Sequence, residues 1–209
     1  MPRGLGHQGS MTIDVLSALA LFALITSITP GPNNLMLMAS GANFGFARTV
    51  PHMMGITLGF MVMLLMVGFG LIRVFDAFPI IYTVLKILSL IYLIYLAYKI
   101  ATAAPVQSAD PNAKPLSFLQ AAGFQWVNPK AWAFGLSIIT IYVPSAGILP
   151  LVITALVVAV MALPSVTLWP LLGGQMARFL TNPRRLRVFN VTMAALLVAS
   201  LLPALWPAS

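Results

Sequence analysis

The sequence predicts an all-α polytopic membrane protein of six transmembrane helices, arranged as two inverted three-helix repeats with broken helices. Three observations predict it. Of 209 residues, 60% are apolar and only 7% are Asp, Glu, Lys or Arg, against roughly 25% charged residues in soluble domains. Six apolar segments follow one another with short connections, each near the roughly 20 residues that one crossing needs. One long polar stretch, residues 102–117, divides them into two sets of three, so a duplicated half must lie inverted relative to its mate. This composition excludes a soluble enzyme, and six crossings leave too little chain for a further soluble domain of ordinary size.

Residues 1–10, MPRGLGHQGS, are polar and glycine-rich and precede Met11 like a second start, so they are read as an extension or tag. Residues 11–209 form the single membrane domain, with halves 11–101 and 118–209 joined by the 102–117 linker. The first apolar run extends from Val15 to about Ala47, well beyond the roughly 7–15-residue core of a signal peptide. As one helix it would span about 49 Å, against a hydrocarbon core of ~30 Å. Within it lies Thr29-Pro30-Gly31-Pro32-Asn33-Asn34. Its two prolines remove two backbone donors and disfavour helix at Thr29 and Gly31, so the chain must break there. Unpaired backbone at membrane depth survives only where protein or water satisfies it. Pro32 can open a new helix whose first N–H groups, beside Asn33 and Asn34, suit a carboxylate. The alternative is a kink that only shapes packing.

The second run, about Val50 to Val74, has His52 at its border, read as interfacial with a proton-relay role as the alternative. Gly41 and Gly45 before it, and Gly55 and Gly59 within it, have the spacing that lets helix backbones approach closely. Glycine-lined faces of this kind also suit a homodimer. The third run, Pro79 to about Ala101, carries Lys86 about 10 Å from its outer end, where it either snorkels to the interface or serves as a coupling group. Its tyrosines, Tyr82, Tyr92, Tyr95 and Tyr98, either line a path or pack. The fourth run, Phe118 to about Val143, is interrupted like the first, at Asn128-Pro129-Lys130. Counting from Phe118 puts Lys130 about 18 Å into the bilayer, near its midplane. A lysine there costs about 2.5–3.5 kcal/mol, so it faces a cavity or caps the carbonyls freed by Pro129. Pro164 and Pro170 predict a kink in the fifth run, Ile148 to Leu172. The sixth, Val188 to Trp206, ends on an interfacial aromatic anchor.

The formal charge of +8 follows from topology and does not call for nucleic acid. Arg48, Lys99, Lys114, Arg178, Arg184, Arg185 and Arg187 fall on one side of the six-segment plan, and Arg3 and Arg73 on the other. Seven against two marks the first side, including the linker, as cytoplasmic and puts both termini outside. The three acids, Asp14, Asp76 and Asp110, all lie outside the apolar segments. With no Cys there is no disulfide or thiol nucleophile. There is no phosphate-binding loop, metal-ligating cluster or Ser/His/Asp set, so no cofactor, metal or catalytic residue is expected. Paired broken helices with polar ends are what a secondary carrier needs. An intramembrane enzyme acting on a lipid-like substrate and a passive pore or assembly protein are the alternatives.

The chain also resembles the LysE/RhtB superfamily of amino-acid exporters. The resemblance rests on TPGPNN at 29–34, the glycines of GANFGF and HMMGITLGF, the lysine and tyrosines of LKILSLIYLIYLAYKIA, and FQWVNPKAW at 124–132. TPGPNN together with a linker ending near KPLSF is most similar to the branch that exports cysteine and O-acetylserine. The resemblance implies proton-driven export of amino acids or derivatives across a bacterial inner membrane, by a multi-pass chain working in the bilayer. It implies site roles for Pro30, Gly31, Pro32, Lys86, Asn128, Pro129 and Lys130. Many relatives carry an acid in the fifth crossing, where this chain reads VVAVMALPSVTLWPLLGG. Without a buried acid to pair a cationic side chain, a small neutral substrate of the cysteine/O-acetylserine or threonine/homoserine kind fits better. Its carboxylate would meet Asn33, Asn34 or Lys130, and its amine the carbonyls before Pro30 and Pro129. A reporter fused to the C-terminus is expected to be active only outside the cytoplasm. A cytoplasmic reporter would reverse the orientation.

Overall fold

In the computed structural model, proline and asparagine set where helices begin. Pro32, Pro129 and Pro183 each open a helix, the position where a missing N–H does no harm. Before two of them, Asn128 and Asn182 accept the free N–H groups of Lys130 and Arg184 at 3.1 and 2.8 Å. Thr12 caps the first helix, and Ser117 with Gln120 forms a reciprocal capping box at another. The resulting helices are α1 (Ile13–Ile28), α2 (Pro32–Phe44), α3 (Phe46–Met66), α4 (Ile80–Ala101), α5 (Phe118–Gln125), α6 (Pro129–Tyr142), α7 (Ile148–Ala177) and α8 (Pro183–Ala199). The model describes residues 12–71, 73, 77, 78, 80–103, 114–143 and 147–200, with no strand among them. The N-terminal extension, Asp76, Asp110, most of the linker, the Tyr82 side chain and Trp206 lie outside the described residues.

Three stretches are each long and apolar enough to cross a membrane: Phe46–Leu71, Thr83–Ala101 and Ile148–Ala177. Taken as one span, α1 and α2 make a fourth, bent by 55° at the Pro30–Pro32 break. The remaining two expected segments are shorter helices, with α5 and α6 holding 8 and 14 residues and α8 holding 17. The fifth segment is one 30-residue helix that keeps Pro164 and Pro170 inside it. After α3 the backbone leaves the helical region at Gly70, whose φ of 102° suits a residue without Cβ.

α7 lies at the centre of the packing, against α1, α2 and α3, while α3 packs on α5 and α4 pairs with α8. The closest approaches occur at glycines. A Cβ on Gly41 would run into the backbone of Pro170, and one on Gly173 into the backbone of Met38 and Ala42. Across the other pair, Gly55 meets Phe118 and Ala121, and Gly59 meets Ala122. Gly45 behaves differently from its expected helix-packing role. It links α2 to α3 with φ 80°, and nothing lies within 4 Å of an added Cβ, so its use is conformational. One apolar cluster joins Leu19, Met63, Ile138 and Val158 from α1, α3, α6 and α7. Another joins Leu93, Phe124 and Leu197 from α4, α5 and α8.

A buried amide network ties the end of α2 and the chain just beyond α4 to the middle of α8. Asn43 of α2 donates to Asn190 of α8 at 2.9 Å, and Asn190 donates back at 3.2 Å and to the Ala103 carbonyl beyond α4 at 3.1 Å. Arg48 at the start of α3, Lys99 in the last turn of α4, and Arg184, Arg185 and Arg187 in the first turns of α8 lie toward the same end of the molecule. If the α2–α7 approach is as tight as it is here, Gly41→Ala should lower unfolding stability in detergent by about 1–3 kcal/mol. Gly123→Ala, where an added Cβ meets nothing within 4 Å, should not destabilise. Equal midpoints for the two variants would contradict the α2–α7 contact.

Candidate functional site

Breaking a helix inside an apolar bundle frees carbonyls that must find donors. At the first break every carbonyl from Ile25 to Gly31 has one. Ile25 accepts from the Thr29 N–H and Thr26 from the Thr29 hydroxyl. Ser27 accepts from Asn34 Nδ2 at 2.7 Å and from Ser165 Oγ of α7 at 2.8 Å. Trp169 Nε1, also of α7, donates to Ile28 at 3.3 Å. Thr29 accepts from Asn34 Nδ2 and from Lys130 Nζ, both at 2.8 Å, and Lys130 also reaches the Thr29 hydroxyl at 2.8 Å and the Pro30 carbonyl at 3.4 Å. Gly31 accepts from the Leu35 N–H. Lys130 comes from the second break, so the α6 lysine closes the end of α1.

The second break is satisfied in the same way. The N–H groups of Trp126, Val127 and Asn128 fold back on Gly123, Phe124 and Gln125. Trp132 Nε1 donates to the Trp126 carbonyl at 2.8 Å, and the Ser89 hydroxyl of α4 donates to Val127. The two breaks are joined a second time by a reciprocal amide pair, Asn33 Nδ2 to Gln125 Oε1 at 2.8 Å and Gln125 Nε2 to Asn33 Oδ1 at 3.2 Å. Gln125 is fully buried, and its Nε2 also donates to Ala121 at 2.9 Å.

Between the breaks, α3 and α7 lies a partly open cavity. Its polar wall includes Gly31, Asn33, Asn34, Asn128, Lys130 and Ser165. Its apolar lining includes Phe60 and Phe134, stacked at 5.1 Å between ring centroids. Lys130 is the one titratable side chain, and no carboxylate is present, among the described residues lining it. A Cβ on Gly31 would sit 2.7 Å from Lys130 Cδ and 3.0 Å from Nζ, so a side chain there would displace the flexible end of the lysine. Gly31 also leaves the start of α2 without a side-chain cap, in contrast to the asparagine caps of α6 and α8.

The structure thus brings Pro30, Gly31, Pro32, Asn33, Asn34, Asn128, Pro129 and Lys130 to one place. It does not bring the other expected coupling groups there. Lys86 is exposed on α4, and His52 is buried at a second cavity nearer the basic end. Three details differ from the expected ligand scheme. The Thr29 carbonyl before Pro30 already holds Lys130 and Asn34, the Asn128 carbonyl before Pro129 accepts the Trp132 N–H at 3.2 Å, and the Asn33 and Asn34 amides are clamped. Ser89, Ser165 and Trp169 were not legible as site residues, nor was the pairing of Gln125 with Asn33. Ser165 and Trp169 each sit beside a helix proline, which is the one local hint.

Residues 24–202 match the family model described as LysE type translocator. The cysteine/O-acetylserine efflux protein of Escherichia coli (strain K12) is 33% identical over 193 residues, 90% of this chain and 96% of that protein. The protein of the same name from Salmonella typhimurium (strain LT2) is 33% identical over 195 residues, again 90% and 96% of the two chains. No solved structure matches.

The amide pair between the breaks is testable by a double-mutant cycle. Asn33→Ala and Gln125→Ala should each destabilise the protein, with a coupling energy of about 0.5–1.5 kcal/mol between them in detergent unfolding. Strict additivity would contradict the contact.

Proposed function

The chain belongs to the LysE-type translocator family, and from that membership we propose that it exports small neutral amino acids or derivatives, of the cysteine/O-acetylserine or threonine/homoserine kind. The observation that carries this reading is the cavity between two broken helices, lined by a lysine, amide side chains and a pair of aromatic rings. A zwitterion needs a cation for its carboxylate and acceptors for its amine. Lys130 supplies the first, and the carbonyls it now holds, Thr29 and Pro30, supply the second once it turns to the substrate. An apolar wall without a carboxylate favours a neutral side chain over a cationic one.

Transport then follows from exchange of partners. While Lys130 binds Thr29, it ties one half of the chain to the other. A substrate carboxylate competes for the same ammonium and frees the end of α1. The cavity can then open to one side or the other by movement of one half against its mate. Coupling to protons fits a site whose titratable group is Lys130. The contacts support the inverted-repeat reading: each half's second helix, α3 or α7, packs on the opposite half's broken segment, α5 or α1–α2, and α4 pairs with α8. The gathering of basic residues at one end supports a cytoplasmic placement of that end, in a bacterial inner membrane.

Efflux from proteoliposomes loaded with cysteine, O-acetylserine, threonine or homoserine tests the reading. At least one should leave faster under an imposed proton gradient, and Lys130→Ala should slow it about tenfold or more at equal protein insertion. No gradient-dependent efflux of any of these would overturn the export reading. Unchanged efflux by an inserted Lys130→Ala variant would remove Lys130 from the site.

A further inference from the structure

His52 is 1% exposed, and among the described residues neither ring nitrogen has a hydrogen-bond partner. An unsatisfied buried polar group costs about 1–3 kcal/mol, so a buried imidazole with both nitrogens open needs a reason. The residue lies at the wall of a second cavity, bounded by α2, α3, the end of α4 and residues 114–116. Lys99 and Lys114 line the same cavity. Both are exposed, and Lys99 Nζ lies 5.7 Å from the ring of Tyr95. The other polar groups there are already engaged: Ser40 with Thr49 at 2.8 Å, and Asn43 with Asn190 and the Ala39 carbonyl. Among the described residues no carboxylate lines this cavity.

We propose that this cavity is a carboxylate-capture site, occupied by the exported amino acid at the basic end before it enters the central cavity. The proposal rests on the export reading above. Two ammonium groups provide the charge that draws a carboxylate. A neutral imidazole offers one donor and one acceptor, which matches a ligand bearing both carboxylate and ammonium better than it matches a phosphodiester, which has acceptors alone. The position also fits. His52 precedes Ile56 by one helical turn, about 6 Å, and Ile56 lines the central cavity. An amino acid released from His52 and the lysines is therefore one turn of α3 from Lys130's chamber.

The chain has two histidines, His7 and His52, so the His7→Gln variant makes His52 the only imidazole signal in ring-labelled protein. In phosphatidylcholine nanodiscs, threonine or O-acetylserine should shift the His52 resonances saturably, and threoninamide, which lacks the carboxylate, should not. The exposed pair Lys99→Gln/Lys114→Gln should weaken the binding about tenfold or more. Three results would overturn the proposal: no shift with either amino acid, an equal shift with threoninamide, or a shift that arises only when phosphatidylglycerol replaces phosphatidylcholine, which would assign the site to a lipid phosphate. Efflux with a silent His52 defeats the capture site alone. A saturable His52 shift without efflux defeats the export reading and leaves the binding site standing.

Discussion

The structure depends on one constraint: an interrupted helix in an apolar bundle must have its freed carbonyls satisfied by groups brought from elsewhere. Each break in this chain is short, and each recruits distant side chains. The end of α1 is closed by Lys130, Ser165 and Trp169, more than 100 residues away in sequence. The second break is closed by Ser89 and by its own Trp132. These bonds dictate which helices must adjoin. α6 has to reach α1, α7 has to lie beside the first break, and α4 beside the second. The glycines then permit those approaches at backbone distance.

The same bonds define what can change. Asn34 and Ser165 close the end of α1 through neutral groups buried in the bundle, and such bonds are expensive to lose. Lys130 is different. It is only partly buried, its charge asks for an anion, and the acceptors it holds are neutral carbonyls. A carboxylate is a stronger partner for an ammonium than a carbonyl is. On the proposed reading, this tie between the two halves is also the one that a zwitterion would exchange.

Much of this was legible in the sequence where the cause is local. Pro30 and Pro32 break a helix through their own rings, and Asn128 caps α6 two residues away, so both breaks could be placed by inspection. The charge of the loops likewise follows from residue identity. Pairings between segments were not legible, because the usual signal fails here. In a soluble helix an apolar residue marks the buried face, but in this chain Leu93 is 0% and Leu119 77% exposed, and both are apolar because lipid and core ask for the same side chain. For that reason the burial of His52, the exposure of Lys86, and the choice of Gln125 as partner to Asn33 all required the three-dimensional arrangement. Gly45 was misread for a related cause. Its GxxxG spacing from Gly41 is the same whether the chain continues as helix or turns at positive φ.

The central claim is that residues from the two breaks meet around a single cavity. The natural chain has no cysteine, so a pair placed at Asn33 and Gln125 can be joined by a short bifunctional thiol reagent without background. Their amides lie 2.8 Å apart, and the account predicts rapid intramolecular cross-linking of the Asn33→Cys/Gln125→Cys protein in membranes, slowed by transported amino acids as the breaks separate. Cross-linking no faster than that of a control pair at Asn33 and the exposed Gln120 would contradict it.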